Sequence, residues 1–145
     1  MADQPQPQSL QFAIDRIYVK DLSIELPGAP IMFKSGLDHK IGLHVNIEHK
    51  QIDGPLHEVT LRLTVEGKKE NTDCFIIEVK QAGLFRVEGA PAEAMAHVLR
   101  VYCPNVLFPY ARQSVDQALQ MASLPPLMLA PIDFEHLSQD GGQAH

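Results

Sequence analysis

The chain has 145 residues, 45% of them hydrophobic, no tryptophan, and a formal charge of -6 from 18 acidic and 12 basic side chains. That length suits one domain with its own core. The acidic balance argues against a nucleic-acid partner, which would need clustered Lys and Arg to meet phosphate.

Cys74 and Cys103 are far apart, give neither a disulfide framework nor a CxxC pair, and fit a reducing compartment. No apolar run approaches the length of a membrane span. Met1 to Gln8 is polar, carries Pro5 and Pro7, and lacks the basic start and apolar stretch of a signal peptide. We read residues 1–8 as a disordered tail, residues 9–138 as one folded unit, residues 139–145 as a flexible tail, and the chain as cytoplasmic.

A long alternation follows the tail. Leu10, Phe12, Ile14, Tyr18, Leu22, Ile24 and Leu26 fall on one face, and Gln11, Asp15, Asp21, Ser23 and Glu25 on the other, which predicts a strand with one buried face. Arg16 and Lys20 break the pattern and suggest a bulge or an edge. Pro27-Gly28-Ala29-Pro30 ends this strand. Residues 27–40 are long for a connecting loop, and Ile31, Met32, Phe33 and Leu37 make them more apolar than a solvated loop requires.

Ile41, Leu43, Val45 and Ile47 alternate with polar neighbours in a second strand, and Asp53-Gly54-Pro55 marks a turn. Val59, Leu61, Leu63 and Val65 alternate with Glu58, Thr60, Arg62, Thr64 and Glu66 in a third. Gly67 to Asp73 reads as a polar turn. Phe75, Ile77 and Val79 then face away from Cys74, Ile76, Glu78 and Lys80 in a fourth. Short turns between the strands predict an antiparallel meander with one covered face.

After Pro91 the period becomes helical, with Met95, Val98, Leu99 and Tyr102 in one stripe and Ala111, Ser114, Val115, Ala118, Leu119 and Ala122 in the next. Between them, Pro104 and Pro109 lie in an apolar run, Cys103 to Arg112. Interior proline costs a helix ~3 kcal/mol, so the run is expected to join two helical segments through a bend, or to start a helix. Pro125-Pro126 stops the helix, and Leu127, Met128 and Leu129 form an apolar connection with Leu124. Asp133 is placed to cap a last helix, Phe134 to Gln139. The expected fold class is α+β, a four-stranded antiparallel sheet with helices packed on one face.

No chemistry of an enzyme emerges. His39, His44 and His49 recur every five residues, which alternates faces along a strand, and no HExxH occurs. Cys103 has no base specified nearby and reads as a buried, inert thiol. No phosphate loop or GxSxG is present, and Gly83 and Gly89 read as turn or bulge residues. No metal or other cofactor is expected.

Two features stand out instead. The apolar loops could line a groove for extended apolar segments, a role that flexible Met suits. Asp21, Ser23 and Glu25 on the first strand, with Ile76 and Glu78 on the fourth, would form an acidic patch around an apolar residue if those strands are neighbours.

Three segments then resemble a known family. Ile17 to Ser23, the decapeptide Cys103 to Arg112, and Leu129 to Phe134 are similar in order and spacing to SecB, the bacterial protein-export chaperones, over roughly residues 10–137. The resemblance implies a homotetramer, a dimer of dimers, that holds unfolded preproteins in apolar grooves and delivers them to the motor ATPase SecA, without ATP or metal of its own. It implies SecA contact at Asp21, Glu25, Ile76 and Glu78. It implies grooves walled by Ile31, Met32, Phe33 and Leu37 on one side and Leu124, Leu127, Met128 and Leu129 on the other. Family members often carry a tryptophan in the first loop, where this chain has Leu37. A chaperone of the same fold dedicated to one client such as an antitoxin, and a carrier of small apolar ligands, are the other two readings.

Overall fold

The computed structural model describes residues 9–139. The two expected tails therefore lie outside the described residues, except for Gln139, which closes the last helix. Four strands form one antiparallel sheet: β1 (Gln11–Glu25), β2 (Lys40–Asp53), β3 (Leu56–Lys69) and β4 (Thr72–Glu88). Their order is β1-β4-β3-β2. Only β2, β3 and β4 form a meander. The first strand crosses to pair with the last, as in a Greek key, and residues 26–39 carry the chain from one sheet edge to the other.

The turns explain the compactness of the hairpins. Glu70 and Asn71 both have positive φ, 54° and 63°, between the paired Lys69 and Thr72. This is a two-residue hairpin turn of the primed kind, which matches strand twist. The expected seven-residue turn is thus mostly strand. Gly54, at φ 55°, makes the sharp step between β2 and β3, where Gln51 Nε2 donates to the Gly54 carbonyl at 2.7 Å.

The covered face carries the core. Val59, Leu61, Leu63 and Val65 from β3 and Ile77, Val79 and Phe85 from β4 are fully buried against α3 (Cys103–Met121). Gly83 lies inside β4 and is neither turn nor bulge. A Cβ there would come within 2.6 Å of the Phe85 ring and 3.1 Å of Leu107, so the glycine makes room for both. Gly67 does the same for Phe75, whose ring would stand 2.0 Å from an added Cβ. Gln81, also buried on this face, accepts a hydrogen bond from Ser114 Oγ of α3 at 3.0 Å, which satisfies an otherwise costly amide. Gly89, at φ 75°, turns the chain out of β4 as expected.

The helix layer runs α2 (Ala92–His97), a π-type turn at Val98–Tyr102, and α3. Pro104 stands in the first turn of α3, as one of the two expectations had it, and α3 then runs on through Pro109 to Met121. All of Val98, Tyr102 and Cys103 keep helical dihedrals, and the Cys103 N–H donates to the Val98 carbonyl five residues back. That widened turn falls where the Pro104 ring would press on the preceding turn, so the irregularity sits just ahead of the proline. Pro109 lies inside α3 on its exposed side, and Asn105, whose carbonyl the proline has no N–H to bond, is exposed too.

The end of α3 is a Schellman cap. Ser123 N–H donates to Gln120 O at 3.1 Å and Leu124 N–H to Leu119 O at 2.9 Å, with Ser123 at φ 60°. Leu124 and Leu119 are both buried, as the apolar contact of that cap requires. Asp133 caps α4 (Phe134–Gln139), its Oδ1 accepting from the His136 N–H at 3.1 Å. Phe134 packs edge-on to Phe108 with centroids 6.4 Å apart, which fastens α4 to α3.

Candidate functional site

The first strand presents its acids outward because it bulges twice. The register skips between Ile14 and Arg16 and again between Val19 and Asp21. Each bulge reverses the phase of the side chains. As a result Ile17 and Val19 lie with Ile14 and Leu22 on the helix side, and Tyr18 moves to the open side. That corrects the simple alternation, which put Tyr18 with the buried set. β1 is also an edge strand, so both expected explanations of the irregularity hold together.

β1 and β4 are neighbours, and the patch forms. Ser23 lies opposite Glu78, Glu25 opposite Ile76, and Asp21 opposite Lys80. On the far side of β4, Lys80 faces Arg62, Glu78 faces Thr64 and Ile76 faces Glu66. Sequence reasoning brought the acids together but missed the bases among them. Arg62 Nη2 donates to Glu78 Oε2 at 3.2 Å, and Lys68 Nζ lies 3.6 Å from Glu66. The polar face of the third strand already contained Arg62. What the sequence could not supply was the register that sets it beside Glu78. Asp21 and Glu25 remain exposed and, among the described residues, hold no ion pair.

The same open face holds a second cluster. Glu58 accepts from the Tyr18 hydroxyl on Oε2 and from Lys20 Nζ on Oε1, the latter at 2.9 Å. Burial, and then the hydrogen bond to Glu58, push the Tyr18 hydroxyl up to about 12. Burial would raise the Glu58 carboxyl, but the hydrogen bonds from Tyr18 and Lys20 and the charges of Lys20 and Lys50 outweigh it and hold the group below its usual range. Nothing in the sequence signals this cluster, since Lys20 and Glu58 are 38 residues apart.

The two apolar segments have separate anchors. In residues 27–40, Gly28 N–H donates to Cys74 O at 3.1 Å, and an added Cβ at Gly28 would stand 2.9 Å from Cys74 Cα. Lys69 Nζ donates to Ser35 O at 2.7 Å. The loop is thus tied to the β3–β4 hairpin. Within it the short helix α1 (Ile31–Lys34) buries Met32, while Ile31 is 69% exposed and Phe33 and Leu37 are also exposed. The second segment is tied to α3, where Asp116 Oδ1 accepts from the Leu127 N–H at 3.1 Å. Leu124 is core, Leu127 and Leu129 are half-buried, and Met128 is 76% exposed. An open cavity of about 640 Å³ lies between α3 and this connection, with Arg112, Asp116, Gln120, Leu124 and Pro126 in its walls. Of the eight expected groove residues, Met32 and Leu124 therefore spend their surface on the core.

Cys103 is fully buried, and burial alone pushes its thiol up to about 12, which leaves it protonated and unreactive. The three spaced histidines do not converge. Among the described residues no group of three or more His, Cys, Asp or Glu is arranged to hold a metal ion. No helix among them is long and apolar enough to cross a membrane.

A model of the family described as preprotein translocase subunit SecB matches residues 4–145. The protein-export protein SecB of Chromohalobacter salexigens is 45% identical over 128 residues, covering 87% of this chain and 78% of that protein. The protein of the same name from Pseudomonas syringae pv. syringae is 41% identical over 144 residues, covering 94% and 89%. Among solved structures, a SecB-like chaperone of Mycobacterium tuberculosis in complex with a ChAD peptide from an antitoxin has a TM-score of 0.69 at 19% identity, covering 83% of this chain and 90% of that one. The last likeness speaks to the fold. With the family model spanning nearly the whole length and relatives above 40% identity, the chain belongs to the SecB family of protein-export chaperones.

Proposed function

We propose that this chain is a cytoplasmic holdase for protein export. It holds unfolded preproteins against exposed apolar side chains on two loops and hands them to SecA at an open sheet face. One observation carries the reading. A single molecule exposes Ile31, Phe33, Leu37 and Met128 on anchored segments, while Asp21, Glu25, Ile76 and Glu78 converge on the uncovered side of the sheet.

Each large apolar side chain left in water forgoes about 1.5–3 kcal/mol of burial, so a surface that keeps several has a ligand to bury them against. The contacts are weak singly and add along one extended client by avidity. Client release follows SecA competition, and neither metal nor nucleotide takes part on this chain.

Assembly as a homotetramer, a dimer of dimers, is part of the proposal. Its support is a second apolar surface, on the helix side of β1. Leu10, Ile14, Val19 and Leu22 are exposed there, and Tyr102, edge-on to Phe12 at 4.8 Å, is exposed beside them. A monomer would leave this stripe in water at the very edge of the sheet.

Co-elution on a sizing column tests the function. The chaperone should travel with an unfolded preprotein and, separately, with SecA, at the mass of a tetramer. Absence of both complexes would sink the reading. Saturation by one compact apolar ligand, with unfolded chains ignored, would point to a carrier instead. Binding confined to one antitoxin would point to a dedicated chaperone, the kind of client that the Mycobacterium tuberculosis neighbour holds.

A further inference from the structure

Glu58 belongs to β3, and Tyr18 and Lys20 belong to β1, with β4 running between them. On the open face Tyr18 lies opposite Ala82, and Ala82 lies opposite Thr60. Ala82 is 0% exposed although the helices cover the other face. Beside this row the open face holds a trough of about 440 Å³ lined by Lys20, Glu48, His49, Lys50, Glu58 and Thr60. Across β4, Tyr18 and Lys20 reach one carboxylate, each on its own oxygen.

Lys20 is the residue that the register omits, since Val19 pairs with Gln81 and Asp21 with Lys80. This bulge sets the phase of everything after it. A slip of one residue turns a strand's outward side chains inward. Without the bulge, Asp21, Ser23 and Glu25 would point to the helix side, and Leu22 and Ile24 would point to solvent.

We propose that Glu58 is a positioning residue for the docking face: by gripping Tyr18 and Lys20 across β4 it fixes the β1 bulge and with it the outward phase of Asp21, Ser23 and Glu25. The inference rests on the reading that this face docks SecA. The ionised carboxylate and protonated hydroxyl described above keep the grip set at neutral pH, because neither group titrates near it.

The test combines SecA titrations with amide hydrogen exchange over residues 17–25 of the free chaperone, for wild type, Glu58→Ala, Glu58→Gln, Tyr18→Phe and Glu78→Lys. Glu58→Ala should weaken SecA binding about tenfold, in the range of couplings between contacting residues, and should speed exchange over 17–25, with unfolded-client binding retained. Glu58→Gln can still accept from Tyr18 and should recover part of both losses, with Tyr18→Phe between. Should Glu58→Ala not fold, the graded pair Glu58→Gln and Tyr18→Phe decides by the same two readouts. Unchanged SecA affinity in the Glu58 variants, while Glu78→Lys loses it, would overturn the positioning role and leave the docking reading intact. Lost affinity with unchanged exchange would mean that Glu58 touches SecA directly, and the positioning role would be wrong. If Glu78→Lys also bound normally, the docking reading itself would fall and the positioning role with it.

Discussion

On one side of β3, Val59, Leu61, Leu63 and Val65 have no exposed surface, and on the other Glu58, Arg62 and Glu66, with Thr60 and Thr64 between them, are joined to neighbouring side chains by ion pairs. The covered side is held by apolar burial, which is large and indifferent to detail beyond volume. The open side is held by contacts between charges, each small, whose value lies in where they put a side chain. The difference teaches a division of labour. Covered-face changes should cost stability first, and open-face changes should cost partner binding while the fold survives.

The largest effect should come from the covered side. Phe85 is fully buried between Gly83 and the helix layer, and Phe85→Ala should cost about 3–5 kcal/mol in urea denaturation. A loss under about 1 kcal/mol would show that this face is not where the stability resides. On the open side, Glu78→Lys should weaken SecA binding at least about tenfold while costing less than about 1 kcal/mol of stability, since the pair it breaks with Arg62 is partly solvated. Equal loss of client binding would indicate a shared site or misfolding.

A smaller, several-fold loss of unfolded-client affinity should follow from joint replacement of Ile31 and Met128 by serine, because both side chains are already in water, 69% and 76% exposed. A drop in denaturation midpoint as large as that of Phe85→Ala would place them in the core instead.

The smallest effect separates the faces by pH. His57, on the covered side, is held below its ordinary 6.5 by burial first and by His49 second. Its folded state prefers the neutral ring. That contribution is complete above about pH 6.5 and declines as pH falls through 6.5 toward the lowered folded value. Glu58, on the open side, is lowered from 4.5, so its contribution is present above about 4.5 and fades only as pH falls further. Stability measured from pH 7.5 downward should therefore fall first through the histidine, and His57→Gln should flatten that first decline. An unchanged slope in the variant would assign the decline to another group.

Much of this was legible in the chain and some was not, for identifiable reasons. β2, β3 and the first half of β4 could be read because one face is buried, so polar and apolar residues alternate. The second half of β4 was missed at Gln81-Ala82-Gly83. There the buried amide is satisfied by Ser114, and the glycine serves a neighbour's ring, two needs that only the tertiary structure creates. Tyr18 was assigned to the wrong face because a bulge changes phase without changing composition. Strand order escaped because the pairing of β1 with β4 joins residues more than 50 positions apart. The proline run reads as a bend or a helix start, and the π-type turn just upstream, at Val98–Tyr102, has no signal of its own in the sequence. The acids of the open face were legible as a shared parity. Arg62 and the Glu58 grip depend on register and lay beyond it.

The most direct test of two separate surfaces is a three-component sizing-column run with unfolded preprotein, the chaperone and SecA. Wild type should carry both partners in one peak. Glu78→Lys should keep the preprotein and lose SecA, and the Ile31 and Met128 serine variant should show the reverse preference. If either variant loses both partners, or if both variants keep both, the separation of client and SecA surfaces is wrong.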